Sequence, residues 1–104
     1  MEGSNFNIIR NLANLDVSKL EQAERSYGDS WRKRGGIGAF MMLARKWDRI
    51  ENQVTKDGYD IFESIYNDPS DTGILDDIRD LRRYLLLVES FMVSESTGDS
   101  ETYD

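Results

Sequence analysis

The sequence predicts an all-α fold, a small bundle of about four helices that is completed by oligomerisation. Long stretches with apolar residues at helical spacing and a single proline support this prediction. With 104 residues, the chain is long enough for one domain with a modest core. We expect that domain at residues 1–94, followed by an acidic, disordered tail at 95–104.

Composition excludes several kinds of site. The chain has no cysteine and no histidine, which removes disulfides, thiolate metal sites, cysteine nucleophiles, serine–histidine triads and the usual zinc site. A net charge of −7 argues against binding along an extended nucleic acid, although it does not exclude a local basic pocket. No apolar run has transmembrane length and no signal-peptide core is present, so we expect a cytoplasmic protein without a membrane partner.

The N-terminal part of the chain predicts two segments. Residues 1–15 carry apolar anchors but also four asparagines, which lower helix propensity, so we expect a short helix or an extended arm there. Asp16 or Ser18 is placed to cap a following short helix, with Glu21 completing a capping box after Ser18. Gly28 has the position of a glycine that ends that helix.

A basic turn, Arg32-Lys33-Arg34, stands before two glycines and the start of the next predicted helix. Free N–H groups at a helix N-terminus favour anions, arginines fork onto phosphate oxygens, and lysine supplies a point charge. Trp31 can stack on a base or fill the core. The pattern favours phosphate binding by at least one of these cations. The alternative is a solvated turn that balances an acidic chain.

The central prediction is an amphipathic helix at residues 37–54. Asp48 and Glu51 fall inside its apolar arc when each residue is placed about 100° after the last. A buried carboxylate is costly unless it is paired or bound to a metal, so these acids predict either salt bridges to a neighbouring helix or a metal site. The core-facing stripe is predicted to comprise Ile37, Phe40, Met41, Ala44, Trp47, Ile50 and Val54.

A short helix at 59–66 and a long last helix at 73–94 follow, and Asp71 or Thr72 is placed to cap the latter. The last helix has Asp77 and Asp80 on an apolar side. It is also apolar nearly all round at residues 85–88, which predicts self-association, by default as a homodimer, or a higher oligomer.

Two helices that each present an acid pair at i, i+3 can enclose a hard-oxygen metal site between them. The four candidate ligands are Asp48, Glu51, Asp77 and Asp80. Carboxylates together with waters and substrate phosphates are the ligands that Mg²⁺ prefers. The sequence therefore predicts a magnesium site, and pairing of the acids with arginines remains the alternative.

These acid pairs, separated by residues 52–76, resemble the ExxE and ExxD signature of the all-α NTP pyrophosphatase (MazG-like) superfamily. More narrowly, YGDSW, RKWDRIENQ and DDIRDLRRYLLL are similar to motifs of small nucleotide-modification-associated proteins that are common in phages. The resemblance covers roughly residues 25–90. The matching positions of the narrower pattern are Lys46, Arg49, Asp80, Leu81 and Tyr84.

The resemblance implies a Mg²⁺-dependent enzyme that cleaves a nucleoside triphosphate to the monophosphate and pyrophosphate. The four acids would hold the metal, and Glu51 would orient the attacking water. Trp31 or Tyr84 would hold the base. The cations that would stabilise charge on the phosphates are Arg32, Lys33, Arg34, Lys46 and Arg49.

Two departures from the superfamily favour loss of hydrolysis. Asp48 and Asp77 stand where the superfamily has the longer glutamate, and misplacing a ligand by about 1 Å can cost about 10²-fold in rate. Lys46 and Arg49 are also placed to neutralise the acids instead of a metal. The competing prediction is a non-catalytic phage protein that sequesters a nucleotide signal, such as a cyclic dinucleotide, to counter host defence. A third is an interaction module without a nucleotide ligand.

Overall fold

The computed structural model describes residues 3–67 and 73–97, with side chains at 5–67 and 73–96. Every regular element in these ranges is helical, which confirms the all-α prediction. The elements are α1 (Gly3–Tyr27), one 3₁₀ turn (Ser30–Arg32), α2 (Gly35–Lys56), α3 (Ile61–Asn67) and α4 (Ile74–Thr97). None of the described helices is both long enough and apolar enough to cross a membrane.

Helix α1 is one continuous helix of 25 residues where the sequence predicted two segments. Asp16 and Ser18 lie inside it, so the prediction that either one caps a second helix is wrong. Each asparagine costs less than about 1 kcal/mol of helix propensity, and the apolar spacing continues through all of them. The predicted end is confirmed: Gly28 has φ +59° and donates its N–H to the Glu24 carbonyl oxygen at 2.8 Å.

The chain divides into two compact units between Lys33 and Arg34. The first unit contains α1 and the 3₁₀ turn. In the second unit α2 packs mainly against α4, and α3 contacts both. The small apolar core comprises Ala39, Ile50 and Ile74, which are all less than a tenth exposed. A domain at 1–94 that assembles into oligomers stays a prediction.

Two other predictions concern the ends of the last helix. Helix α4 continues to Thr97, so its predicted end at Ser94 is three residues short. Residues 98–104 of the predicted disordered tail lie outside the described residues. The predicted caps Asp71 and Thr72 also lie outside them.

The corner between α2 and α3 is built from left-handed residues and a cap. Gly58 and Tyr59 have φ +67° and +66°, and Tyr59 donates its N–H to the Val54 carbonyl oxygen at 2.8 Å. The Oδ1 atom of Asp60 accepts the N–H groups of Phe62 and Glu63 at 3.0 and 3.3 Å, as an N-cap does. Helix α3 therefore begins two residues later than predicted.

The side of α2 that faces the core differs from the prediction. Ile37, Phe40, Met41 and Trp47 are 82%, 65%, 57% and 54% exposed, so their predicted burial is wrong for the single chain. Helix α2 is apolar on more than one side, and α4 packs against the side that contains Ala39 and Ile50. We call the exposed side the outer face of α2; it comprises Ile37, Phe40, Met41, Ala44, Trp47, Asp48 and Glu51.

Candidate functional site

Two ion pairs join α2 to α4. The Lys46 ammonium lies 2.8 Å from Oδ2 of Asp80, and Nε of Arg49 donates to Oδ1 of Asp77 at 2.7 Å. Each helix contributes residues at i and i+3, which project from one side of a helix on successive turns. Lys46 and Arg49 were predicted to neutralise the four acids, and they do so for Asp80 and Asp77.

The two pairs differ in how they meet solvent. The Asp77 side chain is only 9% exposed, whereas the Arg49 side chain is 52% exposed. Lys46 and Asp80 are 21% and 31% exposed. Asp77 is thus a nearly buried carboxylate whose counter-charge comes from a half-exposed guanidinium. A buried carboxylate without such a partner would be costly.

The other two predicted ligands lie elsewhere on α2. Asp48 and Glu51 are exposed on its outer face, away from the ion-paired side. Asp48 lines an open depression of about 570 Å³ together with the ion-paired Arg49, and its other lining residues are Met41, Ala44, Arg45 and Asn52. Among the described residues, no three acid side chains lie close enough together to hold a metal ion. The four-carboxylate magnesium site stays a prediction.

The basic turn lies in and beside the 3₁₀ turn. Arg32 is ion-paired to Asp29 at 2.9 Å, and both side chains are substantially exposed. Asp29 was not predicted as a partner of Arg32, although the i, i+3 spacing of opposite charges was a usable signal. Within residues 3–67 and 73–97 Lys33 has no ion-pair partner. An open depression of about 500 Å³ is lined by Tyr27, Asp29, Ser30, Arg32 and Lys33.

The remaining predicted site residues are dispersed. Arg34 is exposed and occupies the N-cap position of α2, where its side chain makes no capping hydrogen bond. Trp31 is half-buried, and Tyr84 is half-buried on the side of α4 that carries Asp77 and Asp80. Neither aromatic residue lines the two depressions described above. Their predicted contact with a base stays a prediction.

One further carboxylate, Asp57, lies at the corner between α2 and α3. The hydroxyl of Ser64 and the amide of Asn67 favour its charged form and hold the pKa of Asp57 below its ordinary value. Asn67 donates to Oδ1 at 2.6 Å, and Ser64 is fully buried. Oδ2 is enclosed and has no hydrogen-bond partner among the described residues. These contacts tie α3 to the end of α2, so we assign Asp57 a structural role.

Comparison with known proteins adds no relative to this picture. The resemblance to the MazG-like superfamily and to phage nucleotide-modification-associated proteins therefore depends on short motifs alone. No family model, curated protein or solved structure matches the chain.

Proposed function

We propose that the protein binds a nucleotide and does not hydrolyse it, so that its role is to sequester the ligand. The observation that carries the proposal is the pairing of Asp77 with Arg49 and of Asp80 with Lys46. These two acids are half of the set predicted to hold Mg²⁺, and each already has a cation within 3 Å.

Electrostatics supports the non-catalytic form of the proposal. A divalent cation bound by Asp77 and Asp80 would lie beside the side chains of Arg49 and Lys46. Charges of the same sign a few ångströms apart repel strongly at a partly buried site. Metal binding would have to displace both cations, and Arg49 would lose its hydrogen bond to Asp77. The ion pairs are therefore better suited to joining two helices than to holding a metal.

The depression next to the basic turn supports nucleotide binding. Its volume of about 500 Å³ lies within the range of small-molecule sites. Lys33 supplies a positive charge, the Ser30 hydroxyl can donate to a phosphate oxygen, and the Tyr27 side chain is 73% exposed and available for stacking. Asp29 neutralises much of the charge of Arg32, so we assign the main phosphate contact to Lys33.

The proposal is tested by thermal shift with a panel of linear and cyclic nucleotides, each with Mg²⁺ and with EDTA, followed by chromatography of the ligand. A ligand that binds only the folded state raises its stability by mass action. We expect at least one nucleotide to stabilise the protein in EDTA and to be recovered intact. Turnover that requires Mg²⁺ and is lost in Glu51→Gln would establish the hydrolase instead. The absence of any shift would refute nucleotide binding altogether.

A matched pair of lysine variants locates the site. Lys33→Ala should weaken affinity for the identified nucleotide by about tenfold, which is the effect of losing one charge-assisted contact. Lys19→Ala removes another exposed positive charge, on α1, and should leave affinity unchanged. Isothermal titration at two salt concentrations separates direct contact from general attraction. Equal effects of the two substitutions would show that the phosphate does not bind at the basic turn.

A further inference from the structure

The outer face of α2 is an apolar surface that neither α3 nor α4, the other helices of its unit, covers. Ile37, Phe40, Met41 and Trp47 are all more than half exposed. Side chains of this size together present roughly 500 Å² of apolar surface, near the upper end for the largest patch on a monomer. With the residues between them, this face supplies much of the roughly 800 Å² per partner that a specific interface buries.

We infer that this face packs against the same face of a second copy of the chain, with the two α2 helices antiparallel and crossing at Ala44. Ala44 is the smallest residue of the face and lies at its middle, so two helices can approach most closely there. Met41 and Trp47 are each three residues from Ala44. In an antiparallel pair centred on Ala44, Met41 of one copy therefore lies opposite the partner subunit's Trp47.

Two charged residues near this face, Glu51 and Arg34, support a second copy of the chain as the partner. The exposed Glu51 lies seven residues after Ala44, and the exposed Arg34 lies ten residues before it. In the antiparallel pair the two positions differ by three residues, or about 4.5 Å along the helix axis. The stem of Arg34 lies beside Gly38 and not on the outer face itself, so its long side chain has to extend towards the partner's Glu51 to form the pair. Among the described residues neither side chain has an ion-pair partner. In a twofold-symmetric dimer this ion pair occurs twice, because each copy contributes one Glu51 and one Arg34.

The same arrangement gives a role to Glu51, one of the two acids in the apolar arc. Glu51 would lie opposite Ile37 of the partner, in the first turn of a helix whose N–H groups are unpaired and favour negative charge. A patch that only filled a hydrophobic groove would need no acid at the position of Glu51. The inference does not rest on the proposed function, since its residues do not line the depression that contains Lys33, although Arg34 belongs to the basic turn as well.

The absence of cysteine makes a direct crosslinking test possible. Ala44→Cys would place two thiols at the crossing point, where helices in close contact bring Cα atoms near the 4.4–6.8 Å that a disulfide requires. We expect rapid oxidation to a covalent dimer. Glu89→Cys, at an exposed position of α4, should crosslink only at the background rate. A dimer in which Ala44→Cys crosslinks no faster than Glu89→Cys would show that another surface, such as α1, is the interface.

Charge reversal tests the register. Arg34→Glu and Glu51→Arg should each raise the dimer dissociation constant about tenfold in sedimentation equilibrium, because each turns two attractive pairs into repulsive ones. The double variant restores opposite charges and should return to within about threefold of the wild type. Both positions are exposed, and circular dichroism verifies that the variants remain folded. A double variant as weak as the singles, or a wild type that is monomeric at about 100 µM, overturns the inference.

Discussion

Substituting Arg49 should destabilise the protein more than substituting Asp77, although both substitutions break the same ion pair. The pair joins a side chain that is 9% exposed to one that is 52% exposed. Loss of the cation leaves a nearly buried carboxylate without a partner. Loss of the carboxylate leaves a guanidinium that water can still solvate. The expected difference in stability between the two variants therefore comes from the different burial of Asp77 and Arg49.

The magnitudes follow from that asymmetry. Breaking a fully buried pair costs about 3–5 kcal/mol because one charge remains buried and unpaired. Asp77 approaches that limit but retains some access to solvent, so we expect Arg49→Gln to cost about 3 kcal/mol. Asp77→Asn removes a charge-assisted hydrogen bond without burying a free charge and should cost about 1.5 kcal/mol.

Urea unfolding at pH 7 and one fixed protein concentration measures both values, provided that the m-values agree. The Lys46–Asp80 pair is the internal control, because its side chains are 21% and 31% exposed. Lys46→Gln and Asp80→Asn should therefore differ by less than about 0.5 kcal/mol. The reasoning fails if Asp77→Asn is as destabilising as Arg49→Gln.

Three further predictions concern single positions. An alanine methyl group would have no atom within 4 Å at either Gly28 or Gly36, so backbone conformation decides the effect of each substitution. Gly28→Ala should lower stability by about 1 kcal/mol because φ is +59° there, whereas Gly36→Ala, inside α2, should raise it by up to about 1 kcal/mol. Thermal unfolding compares the two variants. Tyr59→Gly should be about 1 kcal/mol more stable than Tyr59→Ala in urea, because alanine keeps the strain at φ +66°. The pKa of Asp57 is lower in the folded protein, so its ionised carboxylate stabilises the fold at pH values above the ordinary aspartate pKa, and this contribution is lost as the pH falls through the folded-state pKa. Asp57→Asn should therefore be less stable than wild type at about pH 7, and the difference in unfolding free energy should shrink towards about pH 3.

Helical periodicity located the main helices well but could not determine which side of α2 packs within the chain. The predicted helix at 37–54 lies inside the observed Gly35–Lys56. A helical wheel shows which side of a helix is most apolar. In α2 that side is the one left exposed. Which side of α2 is buried depends on where α4 packs against it, and the local pattern of apolar residues in α2 does not contain this information.

The acids show the same limit. Asp77 and Asp80 were correctly identified on a packed side of α4, and their cationic partners stand at matching i, i+3 positions of α2. Asp48 and Glu51 have the same spacing but lie on the other side of α2. Spacing within one helix could therefore pair acids with each other, but only the packing of two helices determines which acid meets which cation. In α1, local cap signals at Asp16 and Ser18 were overridden by the continuing apolar pattern.

The chain contains two tryptophans, and each belongs to a different surface. Trp47 is 54% exposed on the outer face of α2, while Trp31 is half-buried in the 3₁₀ turn beside the basic turn. Indole fluorescence shifts to shorter wavelength when the ring leaves water. With Trp31 replaced by Phe, all indole emission comes from Trp47. Its wavelength then shows whether the outer face of α2 becomes exposed to water as the protein is diluted. With Trp47 replaced by Phe, the emission comes from Trp31, whose chain neighbours Ser30 and Arg32 line the depression beside the basic turn. A ligand there can then be followed without a signal from α2, so assembly and binding are measured separately.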